Sequence, residues 1–259
     1  MNKNTIIGMV TVAVLVAGVA LLNSSKGSPE TLEATNITEN TAEVLADATT
    51  ADIPDIMNVN EEGITTLDPA LLKAELADTD TSGISGDEQA GAIFMLEEEK
   101  LAHDVYRTLY DQWGMRVFEN ISRSEETHIE AMRSLAEAYN IPIGFYNESI
   151  GVFHNETLAI LYTELVERGS QSLDEALRVG ALIEELDIVD LQRYIDATDN
   201  QDFITVYENL QRGSRNHLRA FARNISGDYT PVHLEQAEYD AIIASDTERG
   251  QGGHGRRKW

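Results

Sequence analysis

The chain has 259 residues, with 45 Asp and Glu against 19 Lys and Arg, a formal charge of −26, and no cysteine. So large an acid excess excludes a nucleic-acid partner, because a polyanion must be met by a basic stripe that this chain lacks. The missing cysteines exclude disulfides, thiolate metal sites, iron–sulfur clusters and cysteine nucleophiles, so any metal must be held by oxygen and imidazole.

Residues Ile6 to Leu22 form a 17-residue, largely apolar run behind Lys3. That length is just enough to span a bilayer and also fits a signal-peptide core. The small-x-small match Gly18-Val19-Ala20 lies inside the run, a poor place for cleavage, so residues 1–28 read as an uncleaved anchor. The chain is then held on the outer face of a membrane through this segment alone; with cleavage, as a signal peptide, it is secreted. Either reading exports it. From Glu30 to Ala90 there are 15 acids and one lysine, a net −14, without a sustained hydrophobic period. Residues 29–84 therefore read as an acidic, largely disordered linker, in which Asp68 to Leu76 is a short amphipathic piece suited to docking.

The folded domain is expected over 85–243, followed by a disordered tail at 244–259. Ser85 and Glu88 form a capping box that opens a helix running to about Trp113, where Gly114 stops it. Its inward seam, in alternating steps of three and four, is Ala92, Met95, Glu99, Ala102, Tyr106, Leu109, Trp113. Glu99 interrupts an otherwise apolar stripe. The second helix gives Phe118, Ile121, Glu125, His128, Met132, Leu135, Tyr139, with a carboxylate and an imidazole one turn apart. Asn140, Pro142 and Gly144 end it, and Asn155 caps a shorter helix to Arg168 that reads as a crossover. Ser172 and Glu175 make another capping box, opening a helix with the seam Leu177, Gly180, Glu184, Asp187, Leu191, Tyr194. The last long helix, about Asp202 to Ile225, offers Tyr207, Leu210, Ser214, His217, Phe221.

Four long helices with apolar seams predict an all-α fold, a four-helix bundle with a short crossover helix between the second and third long helices. No segment reads as a convincing strand. Glu99, Glu125, His128, Glu184, Asp187 and His217 on the seams need a physical reason, since acidic side chains are almost never buried unpaired. Either a protein-only network of histidinium, tyrosine and arginine pairs them, or metal ions do. Four carboxylates carry −4 and two imidazoles supply at most +2, whereas two divalent cations neutralise the set and leave both imidazoles as neutral ligands. The count favours metal, and carboxylate oxygen with one imidazole per ion suits iron or manganese better than copper or zinc.

At these residues the chain resembles the ferritin-like superfamily. Glu99-Lys-Leu-Ala-His-Asp-Val-Tyr106 resembles the first-helix Glu-x-x-Ala-x-x-x-Tyr stretch of rubrerythrin-type proteins. Glu125-Glu-Thr-His128 matches their Glu-x-x-His, and Glu184-Glu-Leu-Asp187 is similar to their third-helix Glu-x-x-Glu. More closely, the blocks Glu97 to Tyr106, Gly180 to Leu191 and Gly213 to Phe221 resemble an uncharacterised ferritin-like group, domain-of-unknown-function family 2202. The resemblance implies a di-iron centre with Glu99 and Glu184 as terminal or bridging ligands, Glu125 as a bridge, and His128 and His217 as terminal ligands. Asp187 is the least regular carboxylate of the set. Tyr106 is implied to bond a ligand carboxylate, a plain core tyrosine being the alternative. One departure bears on chemistry: where the rubrerythrin fourth helix repeats Glu-x-x-His, this chain has Ser214-Arg-Asn-His217. Serine is a poor iron ligand, so the metal beside His217 is expected to have an open or water-filled position, or to bind weakly. Without cysteine there is no rubredoxin-like domain, and the electron donor is external or the ferrous iron itself.

The function expected is that of an exported oxidoreductase reducing oxygen or peroxide, or oxidising ferrous iron, with two iron ions (or manganese) as cofactor. A non-catalytic iron-sequestering module and a metal-free helical interaction domain are the alternatives. The partners anticipated are oxygen or peroxide and, as a homodimer, a second copy of the chain. Glu97, Glu98, Glu185 and Asp190 sit about 100° per residue off the seams and are expected on the surface. So is the basic stripe Arg215, Arg219, Arg223 at steps of four, pairing with neighbouring acids.

Overall fold

Each long helix of the computed structural model, which describes residues 56–59, 65–76 and 83–249, starts or stops at a residue whose chemistry dictates it. α2 (Gly86–Trp113) opens behind Ser85, whose hydroxyl accepts from Glu88 N while Glu88 reaches back to Ser85 N, and closes at Gly114 in the left-handed region, φ 63°. α3 spans Arg116–Ala138 and is followed by Asn140 at φ 54°. α4 (Glu156–Gly169) is capped by Asn155, α5 (Leu173–Ala197) by Ser172 and α6 (Gln201–Ala222) by Asn200. α1 (Pro69–Leu76) and α7 (Gln236–Ala244) are shorter flanking helices.

α2 packs chiefly on α3 and α5 on α6, and the two pairs meet through α2 with α5 and α3 with α6. This is the all-α bundle that the four seams predict. α4 lies in the long connection, against α2 and α5. The seam residues of all four helices are buried, with Trp113 and Tyr194 half-buried at the ends. Tyr106, Phe118 and Phe221 form an aromatic cluster, with the Tyr106 and Phe221 rings 5.1 Å apart between centroids. Gly180 admits it: a Cβ there would come within 2.4 Å of Phe221 Cε1.

Three expectations are corrected. Two short strands are present, β1 (Met57–Val59) and β2 (Thr65–Leu67), paired antiparallel. Together with α1 they lie within 29–84; β2 packs on α3 and α6, α1 on α3. Next, Glu97, Glu98 and Glu185 are buried, not on the surface. The connections fold back over α2 and α5 and cover Glu97 and Glu185, which anchor those connections, whereas Glu98 is buried against α5, where it meets Asp190. Glu97 accepts from His154 N and Asn155 N at 2.6 and 2.9 Å. Glu185 accepts from Tyr229 Oη and from the backbone N–H groups of Val232, His233 and Leu234. Asp190 is half-buried and pairs with Arg193 at 3.1 Å. Third, Arg219 is 2% exposed and bonds Ile242 O, Asn216, Ser245 and Glu248, fixing α7 and the chain beyond it to α6. Glu248, in the segment expected as a tail, also pairs with Arg215 at 2.6 Å. Residues 1–28, expected as an anchor or signal peptide, and residues 250–259 lie outside the described residues. Among the described residues, no helix is long and apolar enough to cross a membrane.

Candidate metal centre

Glu99 comes from α2, Glu125 and His128 from α3, Glu184 from α5 and His217 from α6, and all five are buried. The spacing Glu125 to His128 puts both on one face of α3, so Glu125 can face both neighbouring groups while His128 sits one turn on. His128 Nδ1 lies 3.1 Å from Glu99 Oε2 and 2.8 Å from Glu125 Oε2. His217 Nδ1 lies 2.9 Å from Glu125 Oε1 and 3.5 Å from Glu184 Oε2. The two imidazoles are nearly parallel, 20° between planes and 5.4 Å between centroids. Glu99, Glu125 and His128 thus form one potential ligand group and Glu125, Glu184 and His217 a second, with ligand atoms in each within 4.8 Å of one another. Glu125 belongs to both, one oxygen toward each imidazole.

Glycine makes room for this. A Cβ at Gly213 would stand 2.7 Å from His128 Cε1 and Nε2. Around the ligands, Tyr106 donates to Glu184 Oε1 at 2.5 Å, with Gly180 O at 3.3 Å. Ser214 donates to Asp187 Oδ2 at 2.8 Å. Asp187 is buried beside the centre but stands outside both ligand groups. His217 Nε2 lies 2.9 Å from Ser124 Oγ, whose hydroxyl in turn donates to Thr65 O.

Burial pushes the Glu99 carboxyl up to about 7 despite His128, and raises Glu184 and, more strongly, Asp187. It pushes Glu125 the same way, but His217 and His128 outweigh it and hold Glu125 below the usual carboxylate range. Burial pulls both imidazoles down; Glu125 foremost reverses this, raising His128 strongly and His217 to about 9. In the absence of metal, therefore, one low carboxylate is flanked by two protonated rings. That arrangement leaves loose ends: Glu99 Oε1, both Glu125 oxygens, Asp187 Oδ1 and His217 Nδ1 are buried without an aligned hydrogen bond. Buried unsatisfied groups are costly, and a cation held among these carboxylate oxygens and imidazole nitrogens would satisfy them. Mixed carboxylate and imidazole donors suit a divalent transition metal. The buried Glu/His groups are able to hold metal ions.

Sequence reasoning did not find Ser124, Thr65 or Gly213. Ser124 lies one position off the α3 seam, and Thr65 belongs to a stretch whose acidity and lack of period conceal β2.

The profile of a family described as "Uncharacterized protein domain (DUF2202)" matches residues 88–246. The chain is 54% identical over 170 residues to "Uncharacterized protein MJ0754" of Methanocaldococcus jannaschii, covering 64% of this chain and 92% of that protein. It is also similar to a solved structure, "Crystal structure of hypothetical protein MJ0754 from Methanococcus jannaschii", with TM-score 0.63 and 52% identity, over 64% of this chain and 97% of that one.

Proposed function

The chain belongs to the uncharacterised family DUF2202, and from its buried ligand groups we propose that it is a ferritin-like protein with a dinuclear iron centre that acts as an oxidoreductase. The observation that carries this is Glu125: one buried carboxylate presents its two oxygens to two imidazoles that belong to two separate ligand groups. Glu99 and His128 would hold one ion, Glu184 and His217 the other, with Glu125 between them. The chemistry such a ferrous pair supplies is two electrons to oxygen or peroxide, one from each ion. Manganese is the other metal that suits the donors.

The protein's own groups account for the rest. Three carboxylates leave two divalent ions one charge short of neutrality, and Asp187, which burial and its neighbouring carboxylates keep protonated without metal, would supply that charge by ionising when both ions are bound, oriented by Ser214 and without being a ligand. Tyr106 orients Glu184, and its hydroxyl keeps its proton because burial and Glu184 push its pKa up. The apolar walls around Tyr106, Phe118 and Phe221 keep bulk water from the Glu184 side. The apolar run Ile6 to Leu22 supports placing the domain outside a membrane.

Anaerobic loading of the full chain with ferrous iron, followed by peroxide, tests the reading. Two ferrous ions taken up per chain, and one peroxide consumed per two oxidised, support it. Two ions without peroxide or oxygen consumption would leave a sequestering module, which the complete burial of the five ligands also suits. No uptake, with unchanged melting, would refute metal binding altogether.

A further inference from the structure

The strand that precedes the bundle reaches the metal centre. Thr65 of β2 is fully buried where the strand packs on α3 and α6. Its carbonyl accepts from Ser124 Oγ and its hydroxyl from Asn216 Nδ2 at 3.2 Å, while Leu67 N donates to Thr127 Oγ1 at 3.0 Å. Ser124, Thr127 and Asn216 are the residues immediately before Glu125, His128 and His217. β2 is therefore bonded to the residue preceding each ligand that α3 and α6 contribute.

Proton counting at Ser124 gives this contact a direction. A serine hydroxyl has one hydrogen, and Thr65 O takes it. Toward His217 the oxygen is thus an acceptor, and the 2.9 Å contact is Nε2–H donating to Ser124 Oγ. The ring is then fixed with Nδ1 toward Glu125 and Glu184. A ligating histidine is commonly oriented in this way by a partner on its other nitrogen.

We propose that β2 is part of the metal centre: Ser124, itself oriented by the Thr65 carbonyl, is a positioning residue that sets His217 for metal binding. The proposal rests on the metal-binding reading above, and it adds to the centre a strand lying outside the residues 88–246 that the family profile matches.

The test uses the full chain, cobalt(II) as the titrant, and Ser124→Ala beside a control, Ser122→Ala. Ser122 is buried on the same helix but donates to Glu119 O. Wild type and the control are expected to take up two cobalt ions with the same affinities. Ser124→Ala is expected to keep the ion held by Glu99, Glu125 and His128 and to bind the other about 10- to 100-fold more weakly. In zinc-loaded, 15N-histidine-labelled protein, the His217 Nε2 proton should exchange slowly in wild type and rapidly in Ser124→Ala. Two unchanged cobalt affinities in Ser124→Ala, even with a lower melting temperature, would overturn the proposal. So would a rapidly exchanging His217 Nε2 proton in zinc-loaded wild type, a result that needs no variant. Wild type that binds no cobalt or zinc would instead overturn the metal reading itself.

Discussion

Glu125→Gln keeps the shape of the side chain and removes the carboxylate that stands between both imidazoles. In metal-free protein the His217 imidazole is pulled down by burial but raised, by Glu125 first and Glu184 second, from 6.5 to about 9. A ring that holds its proton more tightly when folded contributes stability that is complete below pH 6.5 and lost as pH rises through 9. Linkage makes this on the order of 3 kcal/mol at pH 6 and about 2 kcal/mol at pH 7.5. For a domain of this size 2 kcal/mol is about 4 to 8 °C in melting temperature. Glu99, raised by burial to about 7, adds a fall in stability between 4.5 and 7 that is largely complete above it, while His128 and Asp187, both raised well above their usual values, add falls of the same sign to that of His217. The assay is urea unfolding of chelator-treated wild type and Glu125→Gln at about pH 6, 7.5 and 9.5. Wild type is expected to weaken steadily across this range. The variant should start lower and lose less, because Glu184 alone still supports His217. Parallel curves, or a variant as stable as wild type at pH 6, would refute the electrostatic account of the centre.

Three further outcomes separate neighbouring residues by role. Glu184→Gln should lower ferrous uptake from two ions per chain to one, whereas Asp187→Asn should retain two, since Asp187 stands outside both ligand groups; equilibrium dialysis reads the difference. Gly180→Ala gains up to about 1 kcal/mol of helix propensity but drives a methyl into Phe221, so a net loss of about 1 to 3 kcal/mol is expected by urea unfolding. A stabilised variant would show that the aromatic cluster has slack. Glu185→Ala leaves one phenol and three backbone N–H groups without their acceptor, and hydrogen exchange should show loss of protection at residues 232–234 while α3 keeps its own.

The bundle and five of its buried polar residues were legible because they break a rule visible in one dimension. A Glu at position 99 in a stripe of Ala, Met, Tyr and Leu contradicts the burial its neighbours predict, and the same contradiction recurs on three more helices. Caps were legible for the same local reason, as at Ser85 and Asn155. What stayed hidden depends on segments distant in the chain. Glu97 and Glu185 sit on faces that a bare helix would leave in water, and connections tens of residues away return to cover them. Arg219 looks like one step of a solvated basic stripe until α7 folds across it. Thr65 has no periodic context at all; its place is set by bonds to Ser124 and Asn216. Asp187 shares its helix face with Glu184, yet Ser214 holds it aside.

The central claim is that two ions share Glu125. Anaerobic calorimetric titration of ferrous iron into the full chain and into Glu125→Ala tests it most directly. The account predicts two ions per chain for wild type and none bound tightly by the variant, because both groups lose a ligand at once. Equal uptake by the two proteins, or the loss of one ion with the other unaffected, would contradict it.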